Sequence, residues 1–137
     1  MTGWSHLTLR AEKNNLGEVF LFLRQVLGGA GIREQLLPDL ELAVEEAVVN
    51  VMTYAYPNGE GDLVLGVLPG PDYVTIELRD RGTPFNPLLV PEPDITSPLG
   101  EREIGGLGVH LIRTLMDEVS YEYRDGENIL TLRKRRD

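Results

Sequence analysis

The chain has 137 residues, a length that suits one ordinary domain built around a single hydrophobic core. Hydrophobic residues make up 42% and charged residues 26%, which is a globular balance, and no apolar run approaches the roughly 20 residues that span a bilayer. A formal net charge of -9 argues against a broad surface for nucleic acid or anionic membrane, because phosphates would be repelled at long range.

The first half of the chain predicts one strand, two helices and a hairpin. Residues 4–11 alternate loosely and indicate an edge strand, after which Asn14 or Asn15 caps a helix that ends at Gly28 and Gly29. A second helix is predicted from Pro38 to about Tyr56, since proline suits a first helical turn and a Pro-Asn-Gly sequence follows. The β-rich stretches 63–68 and 73–79, joined by a short turn, predict two antiparallel strands.

The second half begins with a long irregular segment. Residues 80–108 are rich in proline and glycine, and loops of that length in compact domains are usually lids, binding loops or disordered segments. A short helix over 109–116 and a second hairpin, 119–124 with 128–133 around Asp125 and Gly126, complete the pattern. We therefore predict an α/β fold, a two-layer α/β sandwich with a mixed, mainly antiparallel sheet and helices on one face.

Composition also narrows the chemistry and the compartment. The chain has no cysteine, and its two histidines, His6 and His110, are far apart, which argues against a zinc site or a cysteine nucleophile. The N-terminus has neither a basic start nor an apolar signal core, so a cytoplasmic location is expected. The basic tail at 133–136 is interpreted as a solvated strand end rather than a docking patch.

The second predicted helix carries a polar pair on one face. Glu46 and Asn50 are four residues apart, and Asn50 interrupts the apolar run VVNVM. A buried amide needs a backbone, water or ligand partner, and Ala43 and Ala47 leave room beside the pair for a bulky group. Taken alone, the pair is more often an ordinary solvated contact.

Asp80 and the glycines near 105 are the other candidates. Asp80 directly follows a hydrophobic strand and precedes Gly82, which places a carboxylate at a sheet end, where it can accept a hydrogen bond from an exocyclic amine. A simple Asp-x-Gly turn explains that motif equally well. The sequence GGLG, residues 105–108, stands directly before a helix, where backbone N–H groups can bind phosphate. No Walker or GxGxxG pattern is present, so a different nucleotide pocket is required.

Together and in this order, the three motifs resemble the GHKL ATPase superfamily. Within it, the segments EEAVVNVMTYAYP, DRGTPFNP and GGLGVHLIRTLMDEVSYEY look like the anti-sigma-factor serine/threonine-protein kinases of bacterial partner-switching systems, over nearly the whole chain. The resemblance implies a Bergerat-type ATP-binding fold with ATP and Mg²⁺ as cofactors.

The resemblance also implies roles for individual residues. Glu46 matches the family's catalytic base, Asn50 its magnesium ligand, and Asp80 with Gly82 the motif that recognises the adenine amino group. The glycine loop matches the end of the ATP lid, which would cover about 86–104 with Arg102 reaching the terminal phosphate. The remaining ATP-binding candidates in that loop are Gly105, Gly106, Leu107 and Gly108.

The chain departs from the family pattern at two places. Tyr54, Ala55 and Tyr56 stand where relatives often have His-Gly-Tyr or His-Ala-Tyr, so a histidine contact there is lost or replaced. Glu127 and Asn128 stand where a Gly-Thr commonly opens the last strand, so one adenine-side contact lacks its usual residue.

The resemblance further implies what the protein acts on. Expected partners are an anti-anti-sigma (STAS-type) antagonist, which it would phosphorylate on serine or threonine, a sigma factor or other client that it would alternately sequester, and a second copy of itself. Two alternatives stay open. One is a nucleotide-sensing partner-switch module without kinase activity, and the other is a structural interaction domain whose motifs are coincidental.

Overall fold

The computed structural model describes residues 3–89 and 106–137, with the side chains of Gly106 and Leu107 excepted. Its strands are β1 Ser5–Arg10, β2 Asp62–Pro69, β3 Tyr73–Asp80, β4 Glu118–Arg124 and β5 Glu127–Arg135. Its α-helices are α1 Leu16–Gly29, α2 Leu37–Tyr54 and α3 Gly106–Leu115, and short 3-10 turns lie at Lys13–Asn15, Glu34–Leu36 and Pro87–Leu89. Every predicted element is present within a few residues of its predicted bounds.

The described strands form one sheet in the order β1-β2-β3-β5-β4, and each neighbouring pair is antiparallel. Inward side chains alternate along the central strands, so that Leu78 on β3 lies opposite Leu130 on β5 and Ile76 lies opposite Leu132. These residues join one core cluster with the buried faces of α1 and α2. The predicted two-layer α/β sandwich is therefore confirmed, with the difference that the described strands pair only antiparallel and do not form a mixed sheet. The single-domain assignment stays a prediction.

Local sequence explains the helix bounds. Pro38 occupies the first turn of α2, where its missing N–H costs nothing, and α1 closes on Gly28 and Gly29 before Gly31 adopts a φ of 72°. The predicted cap of α1 is wrong in one detail. Asn15 precedes the helix, but its side chain makes no capping bond and instead donates to the carbonyl of Arg10 at 3.0 Å.

The basic tail has a structural role that its charge pattern did not indicate. Lys134 donates to the carbonyl of Leu115 at 2.6 Å, at the C-terminal end of α3. Arg136 donates to the carbonyls of Gly70 at 2.6 Å and Ala30 at 3.1 Å, which joins the β2–β3 turn to the end of α1. The interpretation of this segment as a merely solvated strand end is corrected, because these cations satisfy backbone carbonyls at element ends.

Candidate functional site

A pocket lies between α2, α3 and the inner face of the sheet at the end of β3. Its walls are largely apolar, with a few polar groups, which is the composition of small-molecule sites. The lining residues come from α2 and the residue after it, β3, the segment after β3, α3, β4 and β5, in that order: Ala47, Asn50, Val51, Tyr54, Ala55, Leu78, Asp80, Thr83, Phe85, Pro87, Ile112, Tyr121 and Leu130. Residues far apart in the sequence thus meet at one cavity.

Helix α2 presents its polar pair at this end of the fold. Asn50 lines the pocket and is half-buried, and within the described residues its side-chain amide has no hydrogen-bond partner. Ala47, one turn earlier, also lines the pocket, so the small side chain leaves the predicted room beside the amide. As far as the described residues are concerned, the amide oxygen of Asn50 is therefore available to a ligand or a hydrated cation.

Glu46 lies on α2 where this helix meets the first turn of α3. A β-carbon placed on Gly108 would stand 2.6 Å from its carboxylate oxygen Oε2, so only glycine leaves the carboxylate its position. Partial burial, and secondarily the charge of Glu45, raise the pKa of Glu46. Glu46 does not line the pocket described above. Its side chain lies instead between α2 and the start of α3, where Gly108 is found.

Asp80 is the last residue of β3, and only 7% of its surface is exposed. Its Oδ1 accepts hydrogen bonds from the backbone N–H of Gly82 and from Asn128 Nδ2, each at 2.9 Å. Burial raises the pKa of Asp80, while these two hydrogen bonds oppose the rise. Oδ2 has no hydrogen bond to any described residue, so a pocket-lining carboxylate keeps an oxygen for a donor on a ligand.

Asn128 is the site residue that the sequence did not identify. It was noted as a departure from the family pattern, yet it is 6% exposed and lies directly opposite Asp80 in the β3–β5 register. A local signal existed, because strand alternation places Asn128 on the same inward face as Leu130 and Leu132. A polar residue at an inward strand position requires a partner, and the partner here is Asp80.

Hydrogen bonds hold the segment after β3 against the end of α2. Thr83 N–H donates to the carbonyl of Ala55 at 2.8 Å. Tyr56 Oη accepts the backbone N–H of Arg81 at 2.8 Å and donates to the carbonyl of Asp62 at 2.6 Å. The Tyr-Ala-Tyr sequence, noted as a departure, therefore supplies the backbone and hydroxyl contacts that position Asp80 and Gly82, while Tyr54 lines the pocket.

Gly82→Ala is expected to destabilise the protein by about 1 to 3 kcal/mol, the usual cost of forcing an extra carbon into a packed site. The new β-carbon would stand 2.2 Å from the carbonyl oxygen of Ala55, a backbone atom that cannot move aside cheaply. Thermal unfolding measures the change. Gly59→Ala is the matched control, because a β-carbon there meets nothing within 4 Å. Equal melting temperatures for the two variants would contradict the close approach.

Several predicted site residues lie partly or wholly outside the described residues. Arg102 and Gly105 do so completely, as does the predicted lid beyond Leu89. Gly106 and Leu107 belong to the first turn of α3, which begins at the predicted glycine motif, and Gly108 is buried there. The roles assigned to these residues, and to Glu46, Asn50, Asp80 and Gly82, stay predictions.

Residues 9–134 match the family described as "Histidine kinase-like ATPase domain". The chain belongs to this family. Among curated proteins it is similar to the serine-protein kinase RsbW of Listeria monocytogenes, with 30% identity over 90% of this chain and 81% of the relative. It is also similar to RsbW of Oceanobacillus iheyensis, with 27% identity over 95% of this chain and 87% of the relative. The serine/threonine-protein kinase BtrW of Bordetella bronchiseptica is 31% identical over 68% of this chain and 66% of that relative.

The fold is also found among solved structures. The crystal structure of the RsbU and RsbW domains of a Mycobacterium tuberculosis protein superposes with a TM-score of 0.65 at 20% sequence identity and covers 96% of this chain. The present chain spans 32% of the length of that solved chain. This likeness confirms the architecture. None of the helices described here has the length and apolar character needed to cross a membrane.

Proposed function

We propose that this protein is an ATP-dependent protein serine/threonine kinase that phosphorylates an anti-anti-sigma (STAS-type) antagonist and alternately sequesters a sigma factor or another regulatory client. The observation that carries the proposal is the meeting of Asn50 and Asp80 in one pocket, each with an oxygen that no described residue occupies. The kinase names of its relatives support the reaction class. We further propose a cytoplasmic homodimer as the working form.

The adenine end of the nucleotide is assigned to Asp80. Oδ2 would accept the exocyclic amine of the base, while apolar lining residues such as Leu78 and Ile112 would contact its ring. Gly82 keeps the backbone close to α2 and donates its N–H to Oδ1 at 2.9 Å, so the carboxylate is held before the base arrives.

The phosphate end is assigned to α3 and the residues before it. Gly106 begins the helix, whose unpaired N–H groups and positive dipole end favour phosphate, and Gly108 in the first turn leaves room for the Glu46 carboxylate beside them. Gly105, Leu107 and Arg102 are proposed to complete this end, with the Arg102 guanidinium on the terminal phosphate.

Asn50 is proposed as the protein ligand of magnesium. This cation takes oxygen ligands and usually retains several waters, with one or two protein groups and the substrate phosphates completing its shell. The uncommitted amide oxygen of Asn50 fits that requirement, and the described residues hold no group of three or more His, Cys, Asp or Glu that would form an all-protein site. When bound, magnesium neutralises charge on the phosphates during transfer.

Glu46 is proposed as the general base. It would take the proton of the antagonist's serine or threonine hydroxyl while that oxygen bonds to the terminal phosphorus and the bond from this phosphorus to the ADP oxygen breaks. ADP leaves with the electron pair of that bond. The raised pKa of Glu46 makes its ionised form a stronger proton acceptor than an ordinary glutamate.

The test combines binding and transfer in one preparation. ATP affinity is measured by calorimetry, and transfer is followed with γ-labelled ATP, magnesium and a purified STAS-type antagonist encoded by the same organism. A phosphoserine or phosphothreonine on the antagonist is the expected result. ATP binding without transfer would leave a nucleotide-sensing switch module, and no ATP binding at millimolar concentration would overturn the nucleotide site itself.

A further inference from the structure

The donors and acceptors of the Asn128 amide are all used in hydrogen bonds within the protein. Its Nδ2 donates to Asp80 Oδ1 at 2.9 Å and to the carbonyl of Thr83 at 3.1 Å, with the carbonyl of Gly82 at 3.4 Å beside the latter. Its Oδ1 accepts the backbone N–H of Phe85 at 3.1 Å and the hydroxyl of Tyr121. An asparagine amide has two N–H donors and two acceptor lone pairs, so no capacity remains for a ligand.

Asn128 differs from Asp80, because all the hydrogen-bonding capacity of its side chain is used within the protein. Asp80 lines the pocket and keeps Oδ2 uncommitted among the described residues, whereas Asn128 is 6% exposed and is not part of the pocket wall. Asn128 therefore cannot recognise a base directly, and any influence it has must pass through Asp80 or through the segment from Gly82 to Phe85. The contacts to Thr83 and Phe85, both pocket-lining residues, supply the second route.

We propose that Asn128, oriented by the Tyr121 hydroxyl, is a positioning residue that holds Asp80 with Oδ1 occupied and Oδ2 presented to the base of the bound nucleotide. The proposal rests on the nucleotide site of the proposed function, and it adds Asn128 as the residue that orients Asp80 in that site. The orientation of the amide follows from its neighbours. The Phe85 N–H can only donate and the carbonyl of Thr83 can only accept, so only one of the two amide orientations satisfies both.

The hydrogen bond from Asn128 Nδ2 to Asp80 Oδ1 favours the charged form of Asp80. An N–H donor directed at Oδ1 stabilises a carboxylate, and it opposes the burial that raises the pKa of this group. The other titratable groups around Asp80 are Glu127 on β5, Tyr121 on β4 and Tyr56 after α2. None of these donates a hydrogen bond to Asp80 among the described contacts, so within the described residues the donors to Oδ1 are Asn128 and the N–H of Gly82.

Asn128→Asp is the sharpest test, because it keeps the shape and replaces the donor by an ionisable group. At about pH 8 two carboxylates would face each other, and ATP should bind roughly tenfold or more weakly than to the wild type. As the pH is lowered to about 6, the pair takes up one proton, the introduced carboxyl donates to Asp80 as the amide did, and affinity should recover. Wild-type affinity should change little over the same range.

The probe nucleotides separate positioning from a general loss of structure. Calorimetry with ATP and with inosine triphosphate, which lacks the exocyclic amine, gives the preference for that amine. At about pH 8 Asn128→Asp should weaken ATP binding far more than inosine triphosphate binding, so this preference should collapse. Tyr121→Phe, which keeps the ring and removes the hydroxyl donor, should lower the preference by about two- to tenfold. Asn58→Asp, in the exposed turn after α2, is the matched control and should change nothing.

The outcomes test the positioning role of Asn128 separately from the ATP site. Equal losses for both nucleotides, or a loss in Asn128→Asp that is the same at both pH values, would overturn the positioning role while the ATP site stands. If the wild type binds no ATP, the proposed function fails and the positioning role fails with it. If Asn128→Asp does not fold, unchanged nucleotide preference in Tyr121→Phe would overturn the inference.

Discussion

Glu46→Gln is expected to lower phosphoryl transfer to the antagonist by about 100- to 10,000-fold, the usual contribution of a general base. The glutamine keeps the shape of the side chain, so the contact with Gly108 and the start of α3 should survive. ATP affinity should therefore change little, because the loss concerns the proton acceptor rather than the nucleotide pocket. Single-turnover transfer from labelled ATP measures the rate, and calorimetry measures the affinity.

Glu41→Gln is the matched control for this variant. Glu41 lies on the same helix but is paired with Arg24 on α1 at 3.1 Å, away from the pocket. Its loss should leave the transfer rate within about twofold of the wild type, because a surface ion pair contributes little. Undiminished transfer in Glu46→Gln would refute the assigned base.

The environment of Glu46 predicts the direction in which the rate of phosphoryl transfer changes with pH. Only the ionised base accepts a proton, so the rate should fall as the pH drops through the pKa of Glu46. Burial and the charge of Glu45 raise this pKa, and the acid limb should accordingly lie above the ordinary range of a glutamate. Glu45→Gln removes the second cause and should move the limb to lower pH, whereas a limb unmoved by that change would contradict the assignment.

Asp80→Asn is expected to weaken ATP binding by roughly 10- to 100-fold, the contribution of one hydrogen bond to a charged acceptor. The asparagine oxygen can still accept the N–H of Gly82 and the amide of Asn128, so the internal contacts should survive. Its amide nitrogen would then stand where Oδ2 was and would present a donor to the donor amine of adenine. Binding should fall because two donors meet.

The stability of Asp80→Asn should move the other way. Burial raises the pKa of Asp80 above its unfolded value, so the group's favourable contribution to folding is complete at low pH and is lost as the pH rises through the folded pKa. At neutral pH the ionised carboxylate therefore costs stability. Replacing it by a neutral amide should leave the melting temperature unchanged or raise it. A variant that loses binding only because it unfolds would contradict this prediction.

Many features of the fold were predictable because they depend on neighbours in the sequence. Pro38 begins the first turn of α2, and glycines end α1. The Asp125-Gly126 pair forms the predicted tight turn of the second hairpin, with φ values of 55° and 80°. The alternation of Leu130 and Leu132 indicated which face of β5 is buried, because side-chain direction in a strand has a period of two residues.

The site was predictable only in part. Asp80 was selected because it follows a buried strand, and Asn50 because it interrupts an apolar run; both meet at the pocket. Asn128 was treated as a departure, since its partner Asp80 is 48 residues away and strand pairing alone brings the two together. The tail residues Lys134 and Arg136 were also misjudged, because their acceptors are carbonyls of Leu115, Gly70 and Ala30.

By itself, the sequence determined the elements, the two-layer architecture and the identity of the polar residues that interrupt otherwise apolar patterns, because these follow from periodicity and turn chemistry over a few residues. The tertiary structure alone decided which of those residues meet. It placed Glu46 against Gly108, left Asn50 without a partner among the described residues, and occupied one oxygen of Asp80 with Asn128. The reason is physical, since a hydrogen bond is set by distance and direction after β3 and β5 have paired, and no local spacing encodes either quantity.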